Sequence, residues 1–115
     1  MTVTIYHNPR CSKSRQTLAL IADKGIAPKI VDYLQAPPSV AELKRILKKL
    51  GLKARDIVRT GEARYAELGL KDKDVGDEEL LALMVENPIL IERPIVVSGE
   101  RAAIGRPPEA VLKIL

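Results

Sequence analysis

The periodicity of the first 33 residues restricts the fold most. Val3, Ile5 and His7 alternate with Thr4 and Tyr6, the two-residue period of a strand. Asn8-Pro9 interrupts it. From Cys11 or Ser12 the period lengthens, and Leu18, Ile21 and Ala22 form an apolar helical stripe that ends at Gly25. Lys29 to Tyr33, around Ile30-Val31, reads as a second strand. A strand–helix–strand run of this kind predicts a parallel pair joined by a crossover helix.

The middle of the chain is helical. Pro37-Pro38 closes the first unit, Ser39 caps a strong helix, and Glu42 stands where a capping box needs it. Val40, Leu43, Ile46, Leu47 and Leu50 form the apolar face, and Gly51 ends it. Shorter helical pieces are expected over Lys53 to Val58 and Arg64 to Leu68. Asp77 is the expected cap of a further helix carrying Leu80, Leu81, Met84 and Val85, stopped at Asn87-Pro88. Strand character then returns. Ile95-Val96-Val97 and Arg101 to Ile104 flank a turn at Ser98-Gly99-Glu100. Pro107-Pro108 opens a last helix, with Val111, Leu112 and Leu115 facing inward. The order βαβ, helical block, ββα predicts an α/β chain with a thioredoxin-like fold. It forms one domain over residues 1–115, with a helical insertion at about 39–87.

Composition removes several function classes. Hydrophobic residues make up 46% and charged residues 30%, as in an ordinary globular chain. Apolar runs are far shorter than the ~20 residues of a membrane span. The start, MTVTIYHNPR, lacks the charged and apolar regions of a signal peptide, so a cytoplasmic location is expected. The net charge of +4 suits an anionic partner, but with no Phe or Trp the stacking platforms of single-stranded nucleic-acid binders are nearly absent. No nucleic-acid or membrane partner is expected. The single cysteine excludes an intramolecular disulfide and points to a reducing compartment.

That cysteine is the leading chemical feature. Cys11 lies in N-P-R-C-S-K-S-R, between a strand and a helix. First-turn N–H groups and the positive helix end favour a thiolate there, the nucleophilic form. Arg10, Lys13 and Arg15 lie close in sequence, and Ser12 and Ser14 offer hydroxyl donors. His7, the only histidine, is either a general base or a local structural residue. One Cys and one His cannot supply a structural zinc site, and no metal centre is expected. Arg59, Arg93 and Arg106 stand near element ends, where binding residues gather. Their guanidinium forks suit tetrahedral oxyanions. Taken singly, each also reads as an ordinary surface arginine. Arg93-Pro94 is a candidate cis peptide.

Four separated strings, IYHNPRCSKSRQTL, VRTGEARYAELGL, NPILIERPIVV and GRPPEAVLKIL, occur in an order that resembles the glutaredoxin-linked arsenate reductase (ArsC) family across essentially the whole chain. C-S-K-S-R and G-R-P-P-E resemble its YfgD-like branch. The resemblance implies the thioredoxin-like fold, with Cys11 as nucleophile and Arg59, Arg93 and Arg106 as oxyanion ligands. His7 and Ser14 would support them, and Pro94 would be the cis-proline of the fold. It further implies attack of the Cys11 thiolate on arsenate, then a Cys-S–As–SG species formed with glutathione as co-substrate. Glutaredoxin would recycle the glutathione adduct, with no bound cofactor. Where established enzymes of the family have C-G-T-S-R, this chain has Ser12 and Lys13.

Other readings stay open from the residues. One is a thiol oxidoreductase of the same fold acting on another oxyanion or a glutathionylated substrate. Another is a non-catalytic regulator resembling Spx, which binds RNA polymerase. Better-known members of that group carry C-x-x-C, and Ser14 occupies the second position here.

Overall fold

The computed structural model describes residues 2–115. They group into two compact units, residues 2–36 with 93–115, and residues 37–92.

The first unit carries the sheet. Strand β1 (Val3–His7) leads through helix α1 (Ser12–Asp23) to β2 (Lys29–Asp32), and the hairpin strands β3 (Ile95–Ser98) and β4 (Arg101–Ile104) complete the order β2-β1-β3-β4. β1 pairs parallel with β2 and antiparallel with β3, which pairs antiparallel with β4. The parallel βαβ followed by an antiparallel hairpin is the thioredoxin-like arrangement expected from the sequence. Val3, Ile5, Ile21, Val96, Ala103, Val111 and Ile114 form the core beneath α1 and the chain's last segment. Burying each of the larger aliphatic side chains contributes roughly 1.5–3 kcal/mol.

The last segment differs from the expected α-helix. Pro108–Ile114 is a 3-10 helix, and its buried residues are Pro108, Val111 and Ile114. That spacing is the three-residue period of a 3-10 helix, which stacks every third side chain on one side. Leu112 and Leu115, expected inside, are only half-buried. The Arg93–Pro94 peptide is cis, and so is Arg106–Pro107, which nothing in the sequence singles out.

The second unit is helical: α2 (Val40–Leu50), α3 (Ala54–Ile57), α4 (Ala63–Glu67) and α5 (Asp77–Glu86), with 3-10 turns at Leu70–Asp72 and Pro88–Leu90. The Ser39 hydroxyl accepts from the Glu42 N–H, and Gly51 closes α2 in the left-handed region at φ 70. α2 and α3 both pack on α5 around Leu43, Ile46, Ile57, Leu81 and Met84. Asp77 is not the cap of α5 but its first helical residue. Its carboxylate accepts from the Ala54 N–H (3.2 Å) and so helps start α3 instead. Asp77, Glu78 and Glu79 together complement the positive end of α5.

Candidate active site

Cys11 stands at the N-cap of α1 with extended backbone (φ −93, ψ 122), and its side chain makes no capping bond. The loop that delivers it is tied internally. Cys11 N–H donates to the Asn8 carbonyl (3.0 Å), Asn8 Oδ1 accepts from Arg10 N–H (3.0 Å), and Arg15 Nη1 donates to the Pro9 carbonyl (2.9 Å). The thiol is partly exposed. A groove of about 410 Å³, lined by Asn8, Pro9, Arg10, Asp32, Leu34 and Gln35, flanks this loop.

The cations that act on the sulfur come from far along the chain. Arg106 Nη2 lies 3.5 Å from Cys11 Sγ, and Arg106 Nε donates to the Arg93 carbonyl (2.8 Å), which fixes the plane of the guanidinium. Burial pushes the Cys11 thiol up. The Ser14 N–H, the Arg93 guanidinium, the Lys13 N–H and the charge of Arg106 outweigh it, so the net shift is downward. Two sequence neighbours therefore work differently from expectation. Arg15 is engaged by the loop carbonyl, and Lys13 acts through its backbone. Alkylation of Cys11 by iodoacetamide is expected to reach half its maximal rate at a pH below that of an unstructured cysteine peptide. A midpoint at or above the peptide's would remove the activation.

Ser14 is fully buried. Its hydroxyl meets His7 Nδ1 at 2.5 Å and accepts from the Asn8 N–H (3.0 Å), while its own backbone N–H serves the thiolate. The expected hydroxyl donor to the sulfur is thus a brace between β1, the loop and α1. Burial lowers the His7 pKa, Asp32 beside it in the β1–β2 register raises it, and Arg15 lowers it. The net direction is down, leaving a neutral ring near pH 7. A neutral imidazole paired with Ser14 ties β1 to α1.

Arg59, in the helical unit, is held by two carboxylates. Nε reaches Glu62 Oε1 at 3.0 Å and Nη1 reaches Glu92 Oε1 at 2.6 Å. Its backbone N–H donates to the Leu90 carbonyl, next to a bridge between Val58 and Ile91. The fork is therefore fixed in orientation, with part of its charge offset. Among the described residues, no group of His, Cys, Asp and Glu is arranged to hold a metal, and no helix is long and apolar enough to cross a membrane.

Comparison with known proteins places this geometry in a lineage. Residues 6–114 match the ArsC family. The chain is 53% identical over 116 residues to an arsenate reductase of Haemophilus influenzae, covering 100% of both chains. It is 52% identical over 114 residues to protein YfgD of Escherichia coli K12, covering 98% of this chain and 96% of that one. Among solved structures, an arsenate reductase from Vibrio cholerae superposes with a TM-score of 0.96 at 55% identity, covering 100% of this chain and 98% of that one.

Proposed function

The chain belongs to the ArsC family, and on that premise we propose that it reduces arsenate to arsenite at Cys11, drawing electrons from glutathione and glutaredoxin in the cytoplasm. The observation that carries the reading is the Cys11 sulfur at a helix start, 3.5 Å from Arg106 Nη2 and held below its ordinary pKa.

The order of steps is the one the family resemblance implies, and the groups around Cys11 support it. Arg93 and Arg106 that stabilise a thiolate also suit a tetrahedral oxyanion brought to it, by paired charge-assisted hydrogen bonds. The family resemblance adds Arg59 as a third oxyanion ligand; within the helical unit its fork is oriented by Glu62 and Glu92. The thiolate attacks arsenic, forming an S–As bond as one arsenate oxygen leaves as water. Glutathione forms a second S–As bond with loss of another water. A glutaredoxin thiol then takes the glutathione sulfur, leaving the bonding electron pair on arsenic, which becomes As(III). Hydrolysis of the remaining S–As bond releases arsenite and returns Cys11. The sum is one arsenate and two thiols giving arsenite, one disulfide and one water. With one cysteine in the chain, both electrons come from outside thiols, and the groove beside the Asn8–Arg10 loop offers the glutathione room to approach.

The test is NADPH consumption with arsenate, glutathione, glutaredoxin and glutathione reductase. Saturable, arsenate-dependent turnover is expected, and its loss is expected when either glutathione or glutaredoxin is left out. No arsenate-dependent rate, where the Haemophilus influenzae relative gives one, excludes arsenate as the substrate. Turnover that persists without glutaredoxin excludes that donor.

A further inference from the structure

We propose that Gly105 is a positioning residue for the thiolate site: its missing side chain lets the end of β4 sit against Thr17 of α1 and the ring of Pro94, and that seat sets Arg106 on Cys11. The proposal rests on Cys11 working as a thiolate, whichever oxyanion it attacks.

Gly105 is buried at the end of the hairpin, between Ile104 and Arg106. Its N–H donates to the Pro94 carbonyl (2.9 Å). A Cβ placed on it would lie 2.4 Å from Thr17 Oγ1, 2.7 Å from Pro94 Cγ and 3.1 Å from Thr17 Cγ2. Ordinary van der Waals contact begins at 3.4 Å, so even a methyl group needs about 1 Å of movement.

Neither neighbour can supply that movement cheaply. Thr17 is fully buried, its χ1 is stiff because it is β-branched, and its hydroxyl donates to the Lys13 carbonyl (2.8 Å). Pro94 is buried and its ring has no rotamer to escape into. The backbone at residue 105 therefore gives way, and residue 106 follows through one peptide bond. Two contacts of Arg106 have little slack. Its Nε bond to the Arg93 carbonyl is 2.8 Å, and its Nη2 is already 3.5 Å from the sulfur. A shift of about 1 Å takes the second beyond hydrogen-bond reach. Removing a cation from a thiolate raises the thiol's pKa.

The experiment measures the pH profile of Cys11 alkylation in four proteins: wild type, Gly105→Ala, Arg106→Ala and the double variant, each checked for folding by circular dichroism. It needs neither arsenate nor glutathione, so its outcome is separate from that of the turnover assay. Gly105→Ala is expected to move the midpoint upward and to slow alkylation at pH 7 several-fold, as thiolate is lost there. A general loss of stability leaves such a midpoint where it was. In the Arg106→Ala background the same glycine change is expected to add nothing, because its effect runs through the guanidinium. Should Gly105→Ala fail to fold, Thr17→Val carries the same cycle. It sets a bulkier methyl against Gly105, and its smaller upward shift must likewise vanish without Arg106. An unchanged midpoint in the folded variant, or an equal shift with and without Arg106, overturns the proposal.

Discussion

Cys11→Ser is expected to abolish arsenate-dependent turnover, by about 10⁴-fold or more, while leaving the protein at least as stable as the wild type. The size of the loss follows from removing a covalent nucleophile. Serine keeps the shape but remains protonated at neutral pH, and the surrounding donors that lower a thiol's pKa cannot ionise a hydroxyl. No second cysteine exists to substitute. The stability half follows from the backbone. Cys11 occupies the N-cap of α1, where the Lys13 and Ser14 N–H groups favour its thiolate but make no full capping bond to the sulfur. Serine is among the best residues there, because its smaller oxygen accepts a first-turn N–H at full hydrogen-bond geometry. A gain of about 0.5–1 kcal/mol in urea unfolding is expected. Activity loss together with lower stability would mean that the cysteine is a packing residue, and normal turnover would remove it from the mechanism.

Arg106→Ala and Arg93→Ala are each expected to cut kcat/KM for arsenate by about 10²–10³-fold, the scale of removing one preorganised donor from developing charge. Both also raise the alkylation midpoint of Cys11, because both guanidiniums lower its pKa. The two differ in a measurable way. Arg93 holds Arg106 through its backbone carbonyl, which alanine retains, so Arg93→Ala leaves the second guanidinium anchored. Since both act on one sulfur, the double variant is expected to fall short of the product of the single effects. Lysine at either position is expected to recover only part of the rate, since an ammonium restores charge but not a paired fork. Turnover and midpoint both unchanged in Arg106→Ala would sink the proposed anion site.

The order of elements was legible because it is written locally. Period changes, Ser39 before α2 and Gly51 after it are each read within a few residues. The features that complete the site are not local. Ser14 in sequence offers a hydroxyl to its cysteine neighbour. The fold buries that hydroxyl against His7, which is visible only once β1 and α1 are packed. Arg15 lies four residues from Cys11, yet Arg106, 95 residues away, is the one that touches the sulfur. The carboxylates on Arg59 come from Glu62, within helical reach, and from Glu92, which is not. In sequence Gly105 is only the first letter of G-R-P-P-E, and the approach of Thr17 is what gives it a structural meaning. The 3-10 form of the last segment likewise goes with its packing on α1 and β4.

The hairpin has a consequence for engineering the molecule. Ile95 pairs with Ile104 at its open end, so Arg93 and Arg106 project two residues beyond matched positions on opposite arms. Their separation is counted from that base, not from the tip at Ser98–Gly99–Glu100. The tip is therefore the place to splice in a reporter peptide or an affinity tag. A deletion of one residue within either arm is the opposite case: it turns one arginine to the other face of the sheet and dismantles the pair.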